Sequence, residues 1–95
     1  MNANTTNMIQ FESTIGNKIG LHLRAAGEFV KIASQFESEI TVYNGERSAN
    51  GKSILSLAGL AAACGTVITV QIDGDDEHSA RSALETLLEK KFYEE

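Results

Sequence analysis

Three short stretches of this chain alternate apolar and polar residues, and each offers only one apolar face. Ile9 and Phe11 alternate with Gln10 and Glu12 and lead on to Ile15. Ile40 and Val42 alternate with Thr41 and Tyr43, and Ile68, Val70 and Ile72 with Thr69 and Gln71. A period of two marks a half-buried strand. After the second stretch comes Asn44-Gly45, which supplies the positive φ values of a two-residue hairpin, so a return strand is expected through about Ala49. Strands with one apolar face each build an antiparallel sheet covered on one side and wetted on the other.

Three other segments carry the helical period and provide that cover. The first shows Ala26, Phe29, Val30 and Ala33 on one face. In the second, Ser53 sits where a cap belongs, Ile54, Leu57, Ala58 and Ala61 follow, and Gly65 is expected to end the helix. The third presents Ala80, Ala83, Leu84, Leu87 and Leu88, with Asp75, Asp76 and Glu77 at the end where the helix dipole favours acids. The order is βαββαβα, a two-layer, open-faced α+β sandwich. A ferredoxin-like arrangement and its permuted relatives fit that string equally. Residues 1–7 are polar and aperiodic and read as a flexible N-terminal extension, leaving residues 8–95 as a single domain.

Charge is unevenly placed. Bases and acids cancel from Met1 to Lys52, while Ser53 to Glu95 carries three bases and eight acids, the whole of the net −5. Neutralising a phosphate backbone needs a basic face, so broad nucleic-acid binding is excluded, though a local phosphate site near Lys18 and Arg24 stays open. One cysteine, Cys64, allows no internal disulfide and points to a reducing compartment. No apolar run approaches the roughly 20 residues of a membrane span, and the N-terminus lacks the pattern of a signal peptide. The expectation is a cytoplasmic, monomeric protein without membrane insertion.

The stretch Asn17 to Ala26, NKIGLHLRAA, places His22 directly before a helix, with Arg24 two residues on. A helix start presents backbone N–H groups without partners, a ready anion site. An imidazole there can act as a nucleophile whose phosphoryl adduct falls among those donors. The dipole disfavours a charged ring, and Arg24 offers a forked set of donors to phosphoryl oxygens. From position alone, a loop histidine tucked against its helix and a solvated arginine are the plainer readings. Ser53 likewise reads first as a helix cap, at a place that also accepts a phosphate. His78, at the start of an acidic helix, is expected to face solvent, and Cys64 to be a small buried apolar side chain. Two distant histidines and one cysteine show no metal-ligand spacing, so neither metal nor cofactor is expected.

NKIGLHLRAA, followed some thirty residues later by NGKSILSLAGLAAACGT, resembles the histidine-containing phosphocarrier (HPr) family of the phosphoenolpyruvate-dependent phosphotransferase system. The resemblance runs from about Met8 to Leu88. It implies four antiparallel strands with three helices on one side. It implies that His22 takes a phosphoryl group from enzyme I and passes it to an enzyme II A-domain, with Arg24 beside it. Ser53 matches a serine that a dedicated HPr kinase/phosphorylase modifies in some bacteria. Leu23, Ile54, Leu55 and Ala58 would then form an apolar docking patch around the histidine, because the second helix has more apolar residues than one buried face needs. The usual HARPA motif is HLRAA here: Ala25 stands in place of proline and adds an N–H donor, and Leu23 enlarges the apolar rim. Met8 aligns with the usual family start. Three other readings stand beside this one. They are an acylphosphatase-like phosphate-binding enzyme, a small-ligand sensor using the open sheet face, and a carrier of the nitrogen-related regulatory branch.

Overall fold

The computed structural model describes residues 8–94, so the expected tail, residues 1–7, lies outside the described residues. The elements are β1 (Ile9–Thr14), α1 (Leu23–Ala33), β2 (Glu39–Asn44), β3 (Arg47–Asn50), α2 (Ile54–Ala58), β4 (Val67–Asp73) and α3 (Glu77–Glu89), followed by a short turn, Lys91–Tyr93. The sheet runs β1-β4-β2-β3, antiparallel throughout. Its register explains why one apolar face per strand is enough. Phe11 pairs with Val70, Val70 with Val42, and Val42 with Ala49, and all four are buried. The neighbouring row, Glu12, Thr69, Tyr43 and Ser48, faces the other side, half-buried or exposed. A slip of one residue in any strand would exchange the two rows.

The helices close over the apolar side. From α1 come Ala25, Ala26, Phe29 and Ala33, from α2 Leu57, and from α3 Ala80, Leu84, Leu87 and Leu88, all buried. Removing such a leucine side chain costs about 2–5 kcal/mol. The open-faced βαββαβα sandwich expected from periodicity is therefore the observed one. Its strand order chooses among the permuted arrangements that the sequence left open.

Three local expectations are corrected. The hairpin loop is Gly45-Glu46 rather than Asn44-Gly45, because Asn44 still pairs with Arg47. Gly45 alone takes the positive φ (63°) there, and the Asn44 side chain donates to the Leu60 carbonyl at 3.0 Å. Helix α2 ends at Ala58 with Gly59 as its cap, well before Gly65. Beyond Gly59, Ala61 turns left-handed (φ 55°), which carries Leu60 and Ala62 into the core instead of continuing the helix. Cys64 consequently lies in a surface turn and is exposed, not buried. Gly65 (φ 92°) serves that turn, its N–H donating to the Ile15 carbonyl at 2.7 Å.

Asp76 also departs from a simple capping role. It precedes α3, but its carboxylate turns to the loop before β2, where it accepts from the N–H groups of Glu37 (2.8 Å) and Ser38 (3.0 Å) and from the Ser38 hydroxyl. The hydroxyl bond is the chief cause holding Asp76 below its ordinary carboxylate value. The chain after α3 was not foreseen at all. Lys91, Phe92 and Tyr93 take φ values of 55°, 58° and 59°, three successive left-handed residues, none a glycine. Each such residue costs roughly 1–2 kcal/mol. Burial of Phe92, 3% exposed, offsets part of that and folds the chain end back across the sandwich.

Candidate functional site

The loop between β1 and α1 is positioned by close backbone contact with the segment after α2. Gly20 adopts φ 84°, and a Cβ there would lie 2.6 Å from the Ala62 carbonyl oxygen. Only glycine tolerates both the conformation and the approach. Leu21 donates to the same carbonyl at 2.9 Å and is itself buried. His22 follows in extended conformation (φ −82°, ψ −178°) as the N-cap of α1.

The two ring nitrogens of His22 have different partners. Nδ1 accepts from the Arg24 N–H at 3.3 Å, so it carries the lone pair. Nε2 therefore bears the proton and donates to Glu94 Oε2 at 2.9 Å. The other oxygen of Glu94 accepts at 2.9 Å from the side-chain amide of Asn17, which also donates to the Gly20 carbonyl at 2.7 Å. Asn17 is wholly buried, and its own Oδ1 has no partner among the described residues. Its amide bond is the chief cause that lowers the Glu94 pKa below the ordinary value. The bond to His22 and the charges of His22 and Arg24 push the same way, while partial burial pushes back.

Around the ring lies a hollow of about 450 Å³ lined by Lys18, Ile19, His22, Arg24, Tyr93 and Glu94. Arg24 is exposed, and its guanidinium makes no hydrogen bond or ion pair among the described residues. The N–H groups of Leu23 and Ala25, at the head of α1, likewise find no partner among the described residues. A smaller cleft of about 230 Å³ joins His22 to Ala58 and the Ala61–Ala63 segment. A hollow of about 490 Å³ beside β2, β3 and α2 holds Lys52, but that ammonium is bound to the Phe36 carbonyl at 2.6 Å.

Helix α2 lies beside α1, with Ile54 reaching toward Gly27. Leu23 (58%), Ile54 (41%) and Leu55 (78%) are exposed, and so is Ile19 (71%), which lines both hollows beside His22 and which the sequence reading passed over. Ala58 is half-buried and packs against the core. Ser53 caps α2, its hydroxyl oxygen accepting from the Ser56 N–H at 3.3 Å. His78 is 83% exposed, and among the described residues no group of His, Cys, Asp and Glu has the geometry of a metal site. Asn17 and Glu94, like Ile19, are site residues that sequence reasoning missed. Asn17 sat inside the quoted motif without a visible role, and Glu94 had no signal at all.

Fold and site together define an open-faced antiparallel sandwich with an imidazole at a helix start, its Nδ1 lone pair held only by one long backbone N–H contact. Residues 9–90 match the family model described as the PTS HPr component phosphorylation site. The phosphocarrier protein HPr of Xylella fastidiosa (strain Temecula1) is 47% identical over 88 residues, covering 93% of this chain and 99% of its own. The phosphocarrier protein NPr of Shewanella violacea is 40% identical over 86 residues, covering 90% and 94%. A crystal structure of HPr-C-His from Thermoanaerobacter tengcongensis superposes with a TM-score of 0.87 at 41% identity, covering 92% of this chain and 98% of that one. The chain belongs to the HPr family of phosphotransferase-system phosphocarriers. It is a carrier and not a catalyst, of a family whose partners are enzyme I and the enzyme II A-domain. Among the described residues no helix is long and apolar enough to cross a membrane.

Proposed function

We propose that His22 is the phosphoryl acceptor and that Nδ1 is the reacting atom. The observation that carries this is the division of labour in the ring: Nε2 is tied to Glu94, while Nδ1 presents its lone pair to the head of α1. In the transfer, Nδ1 displaces the Arg24 N–H contact and forms a bond to phosphorus. The bond from phosphorus to the donor atom on enzyme I breaks, and its electron pair leaves with the donor. The new phosphoryl oxygens fall near the N–H groups of Leu23 and Ala25 and within reach of Arg24, the forked donor set suited to them. A helix start contributes only about 0.3–1 kcal/mol, so the geometry tunes the adduct, and the partner enzymes supply the positioning. Transfer to an enzyme II A-domain runs the same step in reverse.

Ile19, Leu23, Ile54 and Leu55, with Ala58 at their edge, form the docking surface that excludes water around the ring. Their exposure supports this, since α2 buries Leu57 toward the core and leaves its other large side chains outside. Ser53 serves as a regulatory site where an HPr kinase/phosphorylase is present. A phosphate of about −1.5 to −2 charges beside Ile54 and Leu55 opposes docking without unfolding the helix it caps. Residues 8–95 act as one cytoplasmic, monomeric carrier domain, on the sugar-transport branch that the NGKS segment and the HPr relatives favour.

The test is phosphorylation by phosphoenolpyruvate and the organism's own enzyme I, with the modified residue located by mass spectrometry. His22→Ala is expected to stay folded and unlabelled, and Arg24→Lys to be labelled more slowly, because a point charge does not replace a fork. Continued labelling of His22→Ala would overturn the assignment.

A further inference from the structure

Glu94 lies beyond the stretch matched by the family model, residues 9–90, yet its carboxylate is the direct partner of the His22 ring. Its placement is built. Three left-handed residues and the buried Phe92 bring the chain end back over the site, and Asn17 fixes the second carboxylate oxygen from within the core. The Glu94 N–H donates to the Lys91 carbonyl at 3.0 Å, which sets the direction of the last turn. The side chains of His22 and Glu94 are 27% and 17% exposed, so the bond is shielded from much of the competing water.

We propose that Glu94 is a positioning residue for phosphoryl transfer, holding the proton on His22 Nε2 before, during and after the bond to Nδ1 forms. This rests on His22 being the acceptor. When Nδ1 takes the phosphoryl group with Nε2 still protonated, the ring becomes a cation and no proton leaves. When the phosphoryl group moves on, the Nδ1–phosphorus bond breaks and a neutral imidazole departs. Without that proton the leaving group is an imidazolate anion, far less stable, and transfer or hydrolysis slows. The groups facing the ring decide which form prevails. Lys18 and Arg24 are cations that oppose a positive ring, Tyr93 brings a phenol, and the Ala58 and Ala61–Ala63 side brings no ionisable group. The phosphoryl anion favours a protonated ring in parent and variants alike, and among the described side chains facing the ring Glu94 is the carboxylate that adds to it.

The readout is the pH dependence of phosphohistidine hydrolysis in isolated, phosphorylated protein, free of enzyme I. Hydrolysis is expected to fall as pH rises through the loss of the Nε2 proton. A charge-assisted bond is roughly twice as strong as a neutral one. In Glu94→Gln and Glu94→Ala the midpoint of that fall is therefore expected about one pH unit lower than in the parent, about a tenfold change in proton affinity. Both variants are expected to be labelled on His22, with a circular dichroism spectrum like the parent's. A nitrogen-15 spectrum of the unphosphorylated parent is expected to show an exchange-protected Nε2 proton that Glu94→Ala lacks. Coincident midpoints in parent and variants, with His22 labelled in all, would overturn the role of Glu94 and leave the acceptor assignment intact. Label on another residue would overturn both.

Discussion

Removing Asn17 is expected to loosen fold and site together, and a double-mutant cycle with Glu94 measures the link. In Asn17→Ala the bond to the Glu94 carboxylate is lost, worth about 1.5–3 kcal/mol for a charged acceptor. The bond to the Gly20 carbonyl, about 0.5–1.5 kcal/mol, goes too. Deleting Oδ1, which has no partner among the described residues, returns part of this, so the net loss comes to about 2–3 kcal/mol. For a domain of this size that is a fall in Tm on the order of 10–20 °C. Glu94 is not fully shielded, so solvent screening reduces the pairwise share to about 1–2 kcal/mol. The assay is urea unfolding of the parent, Asn17→Ala, Glu94→Ala and the double variant. A coupling energy within about 0.3–0.5 kcal/mol of zero, the range of independent sites, would refute the reasoning that Asn17 anchors the chain end.

Leu55→Ala is expected to weaken enzyme I binding by more than about 1 kcal/mol, as calorimetry would show, while stability changes by less than about 0.5 kcal/mol. The opposite pattern would return Leu55 to the core. Ser53→Asp is expected to be phosphorylated on His22 much more slowly than the parent, and Ser53→Ala at the parent's rate with a loss of about 1 kcal/mol from the missing cap. Equal transfer rates would leave Ser53 as a cap only. Asp76 has its pKa lowered in the folded protein, so its contribution to stability is present above its ordinary value of 3.8 and is lost as pH falls through the folded value. Urea midpoints measured across that acid range are expected to drop less steeply in Asp76→Asn than in the parent.

The strands and helices were legible because period and burial coincide. Ile68, Val70 and Ile72 announce both a strand and the side it buries. The length of α2 was not legible. Ala61 and Ala62 continue the helical pattern, and the demand that Leu60 and Ala62 enter the core, with Asn44 holding the Leu60 carbonyl, overrides local propensity. Cys64 followed from the same error, since a residue placed at a helix end is judged by the wrong neighbours. The placement of His22 and Arg24 at the start of α1 was legible because the glycine loop and the helix start are local features. Glu94 depends on a left-handed turn made by Lys91, Phe92 and Tyr93, residue types that carry no signal for positive φ, and on a contact 72 residues away. Asn17 reads as a polar loop residue, and only tertiary packing makes it the buried post between loop and chain end.

The most direct test of the account is which ring nitrogen carries phosphorus. Nitrogen-15 and phosphorus-31 spectra of the protein phosphorylated by enzyme I distinguish the two isomers through their couplings. The geometry predicts a bond at His22 Nδ1, with Nε2 still protonated against Glu94. Phosphorus bonded to Nε2, the nitrogen now held by the carboxylate, would contradict it.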